Sequence, residues 1–300
     1  MSLLPRLSVV IPTWNRAHLV CDAVESALAQ GPQVEVIVVN DGSTDETHKV
    51  LTRRFGSRIR LLRTPSRLGV GAARNAGVRE TEGELVAFLD ADDFWAPSKL
   101  ERQINCYLND NDLGLIHCGV DEVDGNGNHL RFHTNGMEGW VAKELLLFQR
   151  AVILGGGSAM LIPRKVFEVV GGFDTSFSTS ADWDFCYRIA NLKQIGFVPE
   201  PLVKYRVHTS NMHSNLKAME HDMLLGYAKA FSDDDKELRE LRRRCYGNLH
   251  MVLAGSFFRA GQGFGFMRHA LKSVWLTPGN VTYLLDFPLR RMRSRARVSV

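Results

Sequence analysis

Two aspartates one residue apart, Asp90 and Asp92, follow directly on the apolar run Val86-Ala-Phe-Leu89. On an extended segment, side chains at i and i+2 point the same way. Two carboxylates held together repel unless one is protonated or a cation lies between them. A hard divalent cation, Mg²⁺ or Mn²⁺, suits such a pair, because it takes one or two carboxylates and fills its other positions with water and phosphate oxygens. A solvated acidic turn is the plain alternative, and the position after a buried strand favours the metal. Two more polar clusters follow apolar runs: Pro12-Thr13-Trp14-Asn15-Arg16, and Asn40-Asp41-Gly42-Ser43-Thr44-Asp45. The second reads equally well as a tight turn with Ser43 or Thr44 capping the next helix. Arg67 and the segment Gly69-Val-Gly-Ala-Ala-Arg74-Asn75 form a further cluster. Glycines opening a helix let backbone N–H groups approach an anion, and Arg74 adds charge. It is not a dinucleotide fingerprint, since Arg74 stands where the third glycine belongs.

The elements that must position these residues alternate in period. Leu7–Ile11, Val34–Val39, Ile59–Leu62, Leu85–Leu89 and Leu115–Val123 read as strands. Between them, helical spacing runs through Val20–Leu28, about Thr44–Phe55, Gly69–Arg79, and the set Leu100, Ile104, Tyr107 and Leu108, with Pro97 suited to the first turn of the last. Short apolar strands alternating with helices predict an α/β fold, a mostly parallel central sheet covered by helices on both faces. Ligands bind such sheets beyond the carboxyl ends of the strands, where the polar clusters fall. From about 125 to 215 the alternation breaks down. Asp124-Gly-Asn-Gly-Asn128 reads as a hairpin turn, Leu202–Val207 as a strand and Trp183–Asn191 as a helix. Residues 216 to about 275 read as helical, with Asp233-Asp-Asp235 opening one helix that ends in Arg242-Arg-Arg244. The expected domains are therefore 1–215, carrying the chemistry, and 216–300, a helical extension with a basic tail.

With 300 residues, 45% hydrophobic and 23% charged, the chain has the profile of a globular protein. That profile excludes a disordered regulator, a collagen-like fibre and a disulfide-stapled mini-domain. The net charge of +4 is too mild to argue for nucleic acid. Residues 221–300 carry net +7, concentrated in Arg290, Arg291, Arg293, Arg295 and Arg297. This tail reads first as a solvated end and second as a contact with acidic lipid headgroups or nucleic acid. Five scattered cysteines without a C-x-x-C pair suggest reduced thiols and a cytosolic setting. No signal peptide is visible, and the longest uncharged stretches, Ala151–Ile162 and Cys245–Phe258, fall short of a membrane span.

In order, the runs Ser8-Val-Val-Ile-Pro-Thr-Trp-Asn15, Val-Val-Asn-Asp41-Gly-Ser-Thr-Asp45, Ala73-Arg74-Asn75, Phe-Leu-Asp90-Ala-Asp92-Asp93, Gly171-Gly-Phe-Asp174, Ser180-Ala-Asp182-Trp-Asp184 and Tyr205-Arg-Val-His208 resemble family 2 glycosyltransferases. The resemblance covers roughly residues 6–215. It implies an A-type glycosyltransferase fold with a nucleotide-diphosphate sugar, a UDP-sugar first, lying across the strand ends. Asp41 would hydrogen-bond the base, and Pro12, Thr13 and Asn15 would line the nucleoside pocket. Arg67, Arg74, Asp90 and Ala91 complete the donor-binding set, with Asp90 near the ribose or the metal. Asp92 would be the main metal ligand, joined by His208. Asp182 maps onto the base of an inverting reaction and Asp184 onto the second acid. The family's motif usually begins Glu-Asp, whereas here Ala181 precedes Asp182. The resemblance further implies a glycan or lipid-linked acceptor, cell-envelope synthesis, and a cytoplasmic enzyme at the inner face of the membrane.

The physical requirements agree with that chemistry. Glycosyl transfer needs a deprotonated acceptor hydroxyl, which a carboxylate in hydrogen-bond reach supplies, and a stabilised diphosphate leaving group, which a metal supplies as a Lewis acid. Asp182 has a structural reading as well, as cap of the helix that follows it. The residues by themselves leave inversion and retention open. A phosphatase with Asp90 as nucleophile would want its Asp-x-Asp after the first strand. A nucleotidyltransferase would want a Gly-rich loop there, and the chain has no P-loop. A non-catalytic nucleotide-sugar-binding protein of the same fold is the alternative, prompted by Ala181. Acceptor contacts are expected from residues 125–180.

Overall fold

The computed structural model describes residues 5–207, 215–232 and 236–285. His208, Asp233-Asp-Asp235 and the arginine tail therefore lie outside the described residues. By contacts, the chain forms two compact units: residues up to Ala142 with those from Ala151 to Ser214, and Lys143–Arg150 with those from Asn215 onward.

The first unit begins β1 (Leu7–Thr13), α1 (Val20–Leu28), β2 (Val34–Asn40), α2 (Thr47–Phe55), β3 (Arg60–Arg63), α3 (Val70–Arg79) and β4 (Leu85–Phe88). β1 is buried along its whole length and β2 nearly so. Both read as continuous apolar runs because both faces of the sheet are covered. β3 instead exposes Arg60 and Arg63, charges that suit an edge strand. β3, β2, β1 and β4 lie side by side in that order, all parallel. β1 thus has β2 on one side and β4 on the other, a topological switch point whose crevice opens at the strands' carboxyl ends.

The sheet then turns mixed. β5 (Phe94–Trp95), α4 (Lys99–Asn109), β6 (Leu115–Val123) and β7 (His129–His133) follow, then, after α5 (Ala142–Leu147), α6 (Gly156–Ala159), β8 (Leu161–Pro163), α7 (Arg164–Val169), α8 (Ala181–Ala190) and β9 (Ile195–Arg206). β8 pairs antiparallel with β4 and β6, β6 parallel with β9, and β5 antiparallel with β9. β7 forms the expected hairpin on β6, its turn held by Asp124, whose carboxylate accepts from the backbone of Asn126 and Asn128. Pro97 precedes the α4 N-cap, Ser98, rather than sitting in the first turn. Neither Ser43 nor Thr44 is the cap of α2: the N-cap position is Glu46, and Asp45 Oδ1 accepts the Thr47 N–H at 3.0 Å.

His117 of β6 fastens the irregular segment that leads to α6. Its Nε2 donates to the Met137 carbonyl at 2.9 Å, while Nδ1 accepts the Leu154 N–H at 3.2 Å, which fixes a neutral imidazole. Phe197 stacks on the ring at 4.6 Å. Burial pushes this histidine down from 6.5 to about 4. The unfolded chain therefore binds a proton that the native state refuses, and stability falls as pH drops from 6.5 towards 4. The loss over that window is about 3 kcal/mol. The urea midpoint of the sheet unit should decline through it, and less steeply in His117→Gln. A midpoint with the same slope in both proteins would contradict the buried neutral ring.

The second unit contains α9 (Leu216–Ala230), α10 (Lys236–Arg259), α11 (Gly263–Leu276) and α12 (Asn280–Leu285). It also takes in Lys143–Arg150: the Tyr227 hydroxyl donates to the Leu146 carbonyl at 2.5 Å, and Asn248 Nδ2 to the Leu147 carbonyl at 2.8 Å. Ala254 and Leu284 pack with Met251, Phe258, Phe266, Ala270 and Val274 in its core.

Candidate active site

The tip of β1 is tied to the tip of β2. Asn15, held at a left-handed φ of 51°, accepts the Thr44 N–H on Oδ1 at 2.9 Å, and its own N–H reaches Ser43 Oγ at 2.9 Å. Pro12 and Thr13 end β1 opposite Val39 and Asn40. Thr13 Oγ1 and Asn40 Nδ2 are both buried with no hydrogen-bond partner.

Asp41 anchors the loop after β3. Its carboxylate accepts the Leu68 and Gly69 N–H groups, each at 2.8 Å, and the Thr64 hydroxyl at 3.0 Å. An anion from the chain itself thus takes the two N–H groups immediately ahead of α3. Gly42 makes this approach feasible, for a Cβ there would lie 2.6 Å from the Arg67 nitrogen. Arg67 is placed over the Trp14 ring, 3.7 Å from its centre, so the two side chains form one wall at the β1 tip.

The aspartate run after β4 divides its roles. Asp90 pairs with the buried Arg74 of α3 at 2.5 Å, both partly out of water. Ala91 is buried in the core. Asp92 keeps a quarter of its side chain exposed, with the Arg16 guanidinium 3.6 Å away. Asp93 turns inward: its carboxylate accepts the Ser158 hydroxyl at 2.6 Å and the Arg206 N–H at 3.0 Å. Burial, with the charges of Asp92 and Asp90, pushes Asp93 well above the usual carboxylate range. Asp90 is also raised, by burial first, with Arg74 opposing and Asp92 and Asp182 adding to the shift. Ser158 bridges the run a second time, since its hydroxyl oxygen accepts the Asp90 N–H at 3.1 Å. Arg206 closes the far side, donating to the Asp92 carbonyl at 3.2 Å and to Asp22 at 2.6 Å.

Asp182 reaches this cluster through packed aromatic rings. Phe88, two residues before Asp90, meets Phe173 edge-on at 5.2 Å, and Phe173 stacks on Phe185 of α8 at 4.2 Å. Asn75 of α3 pins Phe173 through both its carbonyl, at 2.7 Å, and its N–H, at 2.8 Å. α8 is thereby fixed to the β4 tip with Asp182 in its first turn, accepting the Trp183 N–H at 2.8 Å. Ser180 occupies the N-cap position of α8, so Asp182 lies inside the first turn and is not the N-cap. Asp184 turns away into a pair with Arg188 at 2.8 Å, and Arg188 also holds the Val170 and Gly172 carbonyls. Ala181 is buried, and a Cβ placed on Gly71 of α3 would lie 3.8 Å from its own.

Asp90, Asp92, Arg74 and Asp182 therefore share one neighbourhood, flanked by Asp41 and the Trp14–Arg67 wall at the switch point. The sequence reading did not single out Ser158, Arg16 or Arg206. Arg206 lies within the quoted Tyr205-Arg-Val-His208 run, while Ser158 sits in a glycine-rich stretch that signals only lack of charge.

The fold and this cluster define the A-type glycosyltransferase class. The sequence model described as glycosyl transferase family 2 matches residues 8–171, and the chain belongs to that family. It is 33% identical over 240 residues to an uncharacterized glycosyltransferase of Rickettsia prowazekii (strain Madrid E), covering 77% of this chain and 74% of that protein. It spans only about a third of several further Rickettsia relatives. Two solved structures share the fold. S. aureus TarS 1–349 in complex with UDP-GlcNAc superposes with TM-score 0.64 at 14% identity over 90% of this chain and 91% of that one. The mannosyltransferase PcManGT from Pyrobaculum calidifontis, in complex with GDP-Man and Mn²⁺, superposes with TM-score 0.63 at 19% identity over 97% and 88%.

Proposed function

We propose that this glycosyltransferase moves one sugar, with inversion, from a nucleotide-diphosphate sugar to a hydroxyl of a glycan or lipid-linked acceptor in cell-envelope polysaccharide or glycolipid synthesis. It works in the cytoplasm with a UDP-sugar as first candidate donor and Mg²⁺ or Mn²⁺ as cofactor. The observation that carries this reading is the convergence of Asp92 and Asp182 on the Asp90–Arg74 pair. The two solved neighbours, one with UDP-GlcNAc and one with GDP-Man and Mn²⁺, support the donor class.

The donor set suits a divalent cation shared with substrate. Three carboxylates crowd the β4 tip: Asp93 is turned inward and Asp90 pairs with Arg74, while Asp92, a quarter exposed beside Arg16, would hold the ion. Among the described residues no group of three ligating side chains exists; diphosphate oxygens and water would complete the shell. When bound, the cation supplies Lewis-acid stabilisation of the leaving diphosphate. Arg74 and Arg67 orient donor phosphates and base-side groups, and the unpartnered Thr13 hydroxyl and Asn40 amide suit a polar nucleoside. Asp182 takes the acceptor's proton. The engagement of Asp184 with Arg188 supports Asp182, rather than Asp184, as that base.

A donor screen by thermal shift tests the reading. With Mn²⁺ present, one UDP- or GDP-sugar at a hundred times its Kd should add about 2.7 kcal/mol to stability. No shift with any nucleotide sugar, with or without metal, would sink it.

A further inference from the structure

Among the described residues, a strongly exposed apolar surface lies far along the sequence from this chemistry. On α11, Phe264, Met267, Leu271 and Trp275 are 86%, 53%, 66% and 74% exposed. Spaced by three, four and four residues, they form one stripe along the helix, while Gly265, His269 and Ser273 of the same helix are buried. A stripe of large apolar side chains left in water marks a surface that something covers.

Charge says what covers it. From Arg242 to Leu285 the chain carries six Lys/Arg and no Asp/Glu. Lys272 lies exposed beside the stripe, and Arg268 beside it pairs with Glu220. At the carboxyl end of α11, Arg243 donates to the carbonyls of Leu276 at 2.9 Å and Trp275 at 3.1 Å. There an open cleft of about 510 Å³ is lined by Arg239, Arg242, Arg243, Tyr246 and Leu276. Arginines of this kind recognise phosphate. Exposed phenylalanine, leucine and tryptophan on one helix face, bounded by a cationic rim, are the features of a helix lying in a bilayer interface. Among the described residues no helix is long and apolar enough to cross a membrane.

We propose that the α11 stripe and the arginine cleft at its end form a docking surface for a bilayer bearing anionic phosphate headgroups. The stripe enters the acyl boundary, and the cleft receives a headgroup. The proposal uses no residue of the arginine tail, and it does not depend on the donor, the metal or turnover.

Flotation of the full chain with phosphatidylcholine vesicles, with and without 25 mol% phosphatidylglycerol, tests it without any sugar donor. The unmodified protein should float with the anionic vesicles, at least tenfold less with phosphatidylcholine alone, and less at high salt. Phe264→Ser/Leu271→Ser/Trp275→Ser, altering only exposed side chains, should keep its melting temperature and lose binding at least tenfold, although its tail is intact. Arg242→Gln/Arg243→Gln should lose the preference for anionic vesicles. Quenching by brominated lipid should vanish in Trp275→Phe. Flotation of the triple variant within twofold of the unmodified chain overturns the proposal. A dimer in sedimentation that the triple variant splits, with no flotation of either protein, overturns it too and assigns the face to a second copy of the chain.

Discussion

Asp182→Asn should bind the nucleotide-sugar donor as the unmodified enzyme does and transfer sugar about a hundred- to ten-thousand-fold more slowly, the usual worth of a positioned general base. The substitution keeps shape and volume. The amide oxygen still accepts the Trp183 N–H, so α8 keeps its first turn. Its position is fixed by the Phe88–Phe173–Phe185 stack rather than by the carboxylate. What disappears is the capacity to take a proton. The expected signature is a loss in kcat, read as nucleotide release with acceptor, at unchanged donor affinity by calorimetry. Asp184→Asn serves as the contrast. Breaking its pair with Arg188 should lower the melting temperature by leaving the guanidinium's remaining contacts to two carbonyls, with the chemistry preserved in the folded fraction. Normal transfer by Asp182→Asn would remove this residue as base.

Much of this site was legible because its residues sit at the ends of strands whose sequences permit one reading. β1, β2 and β4 are buried almost throughout and are mostly apolar, so the residues just after them could be named from the sequence. β6 was bounded at the same residues for the same reason. The second half resisted. β5 and β8 are two and three residues long, too short for any periodicity. β9 runs twelve residues through Pro199, Glu200 and Pro201, a composition that reads as a break; the strand survives there because its register on β6 shifts at Gly119. The hub around Asp93 was invisible for a different reason. Asp93, Ser158 and Arg206 are 48 to 113 residues apart in pairs, and each is of ordinary type for a turn, a glycine-rich stretch or a strand end. Asp41 shows the opposite limit: its prominence in sequence is matched by a structural duty, holding Leu68 and Gly69, that competes for the same carboxylate oxygens.

Asp92→Ala should abolish metal-stimulated turnover while leaving the fold intact. The leaving diphosphate depends on a cation for several kcal/mol of charge stabilisation, which corresponds to a rate loss of about two to three orders of magnitude. The fold should tolerate the change because the side chain is partly in water and because Arg206 grips the Asp92 backbone carbonyl, which alanine retains. Position 93 makes the comparison decisive. Asp93→Ala would strand the Ser158 hydroxyl and the Arg206 N–H in a buried site, at about 1–3 kcal/mol for each group left without a partner. The two neighbouring aspartates should therefore separate cleanly: Asp92→Ala melts normally and loses the Mn²⁺-dependent thermal shift with donor, whereas Asp93→Ala melts early. Retention of full turnover by a normally melting Asp92→Ala protein would show that the cation, if any, is held elsewhere. Loss of stability in both variants to the same degree would mean that the acidic run is one structural cluster with no member free for substrate.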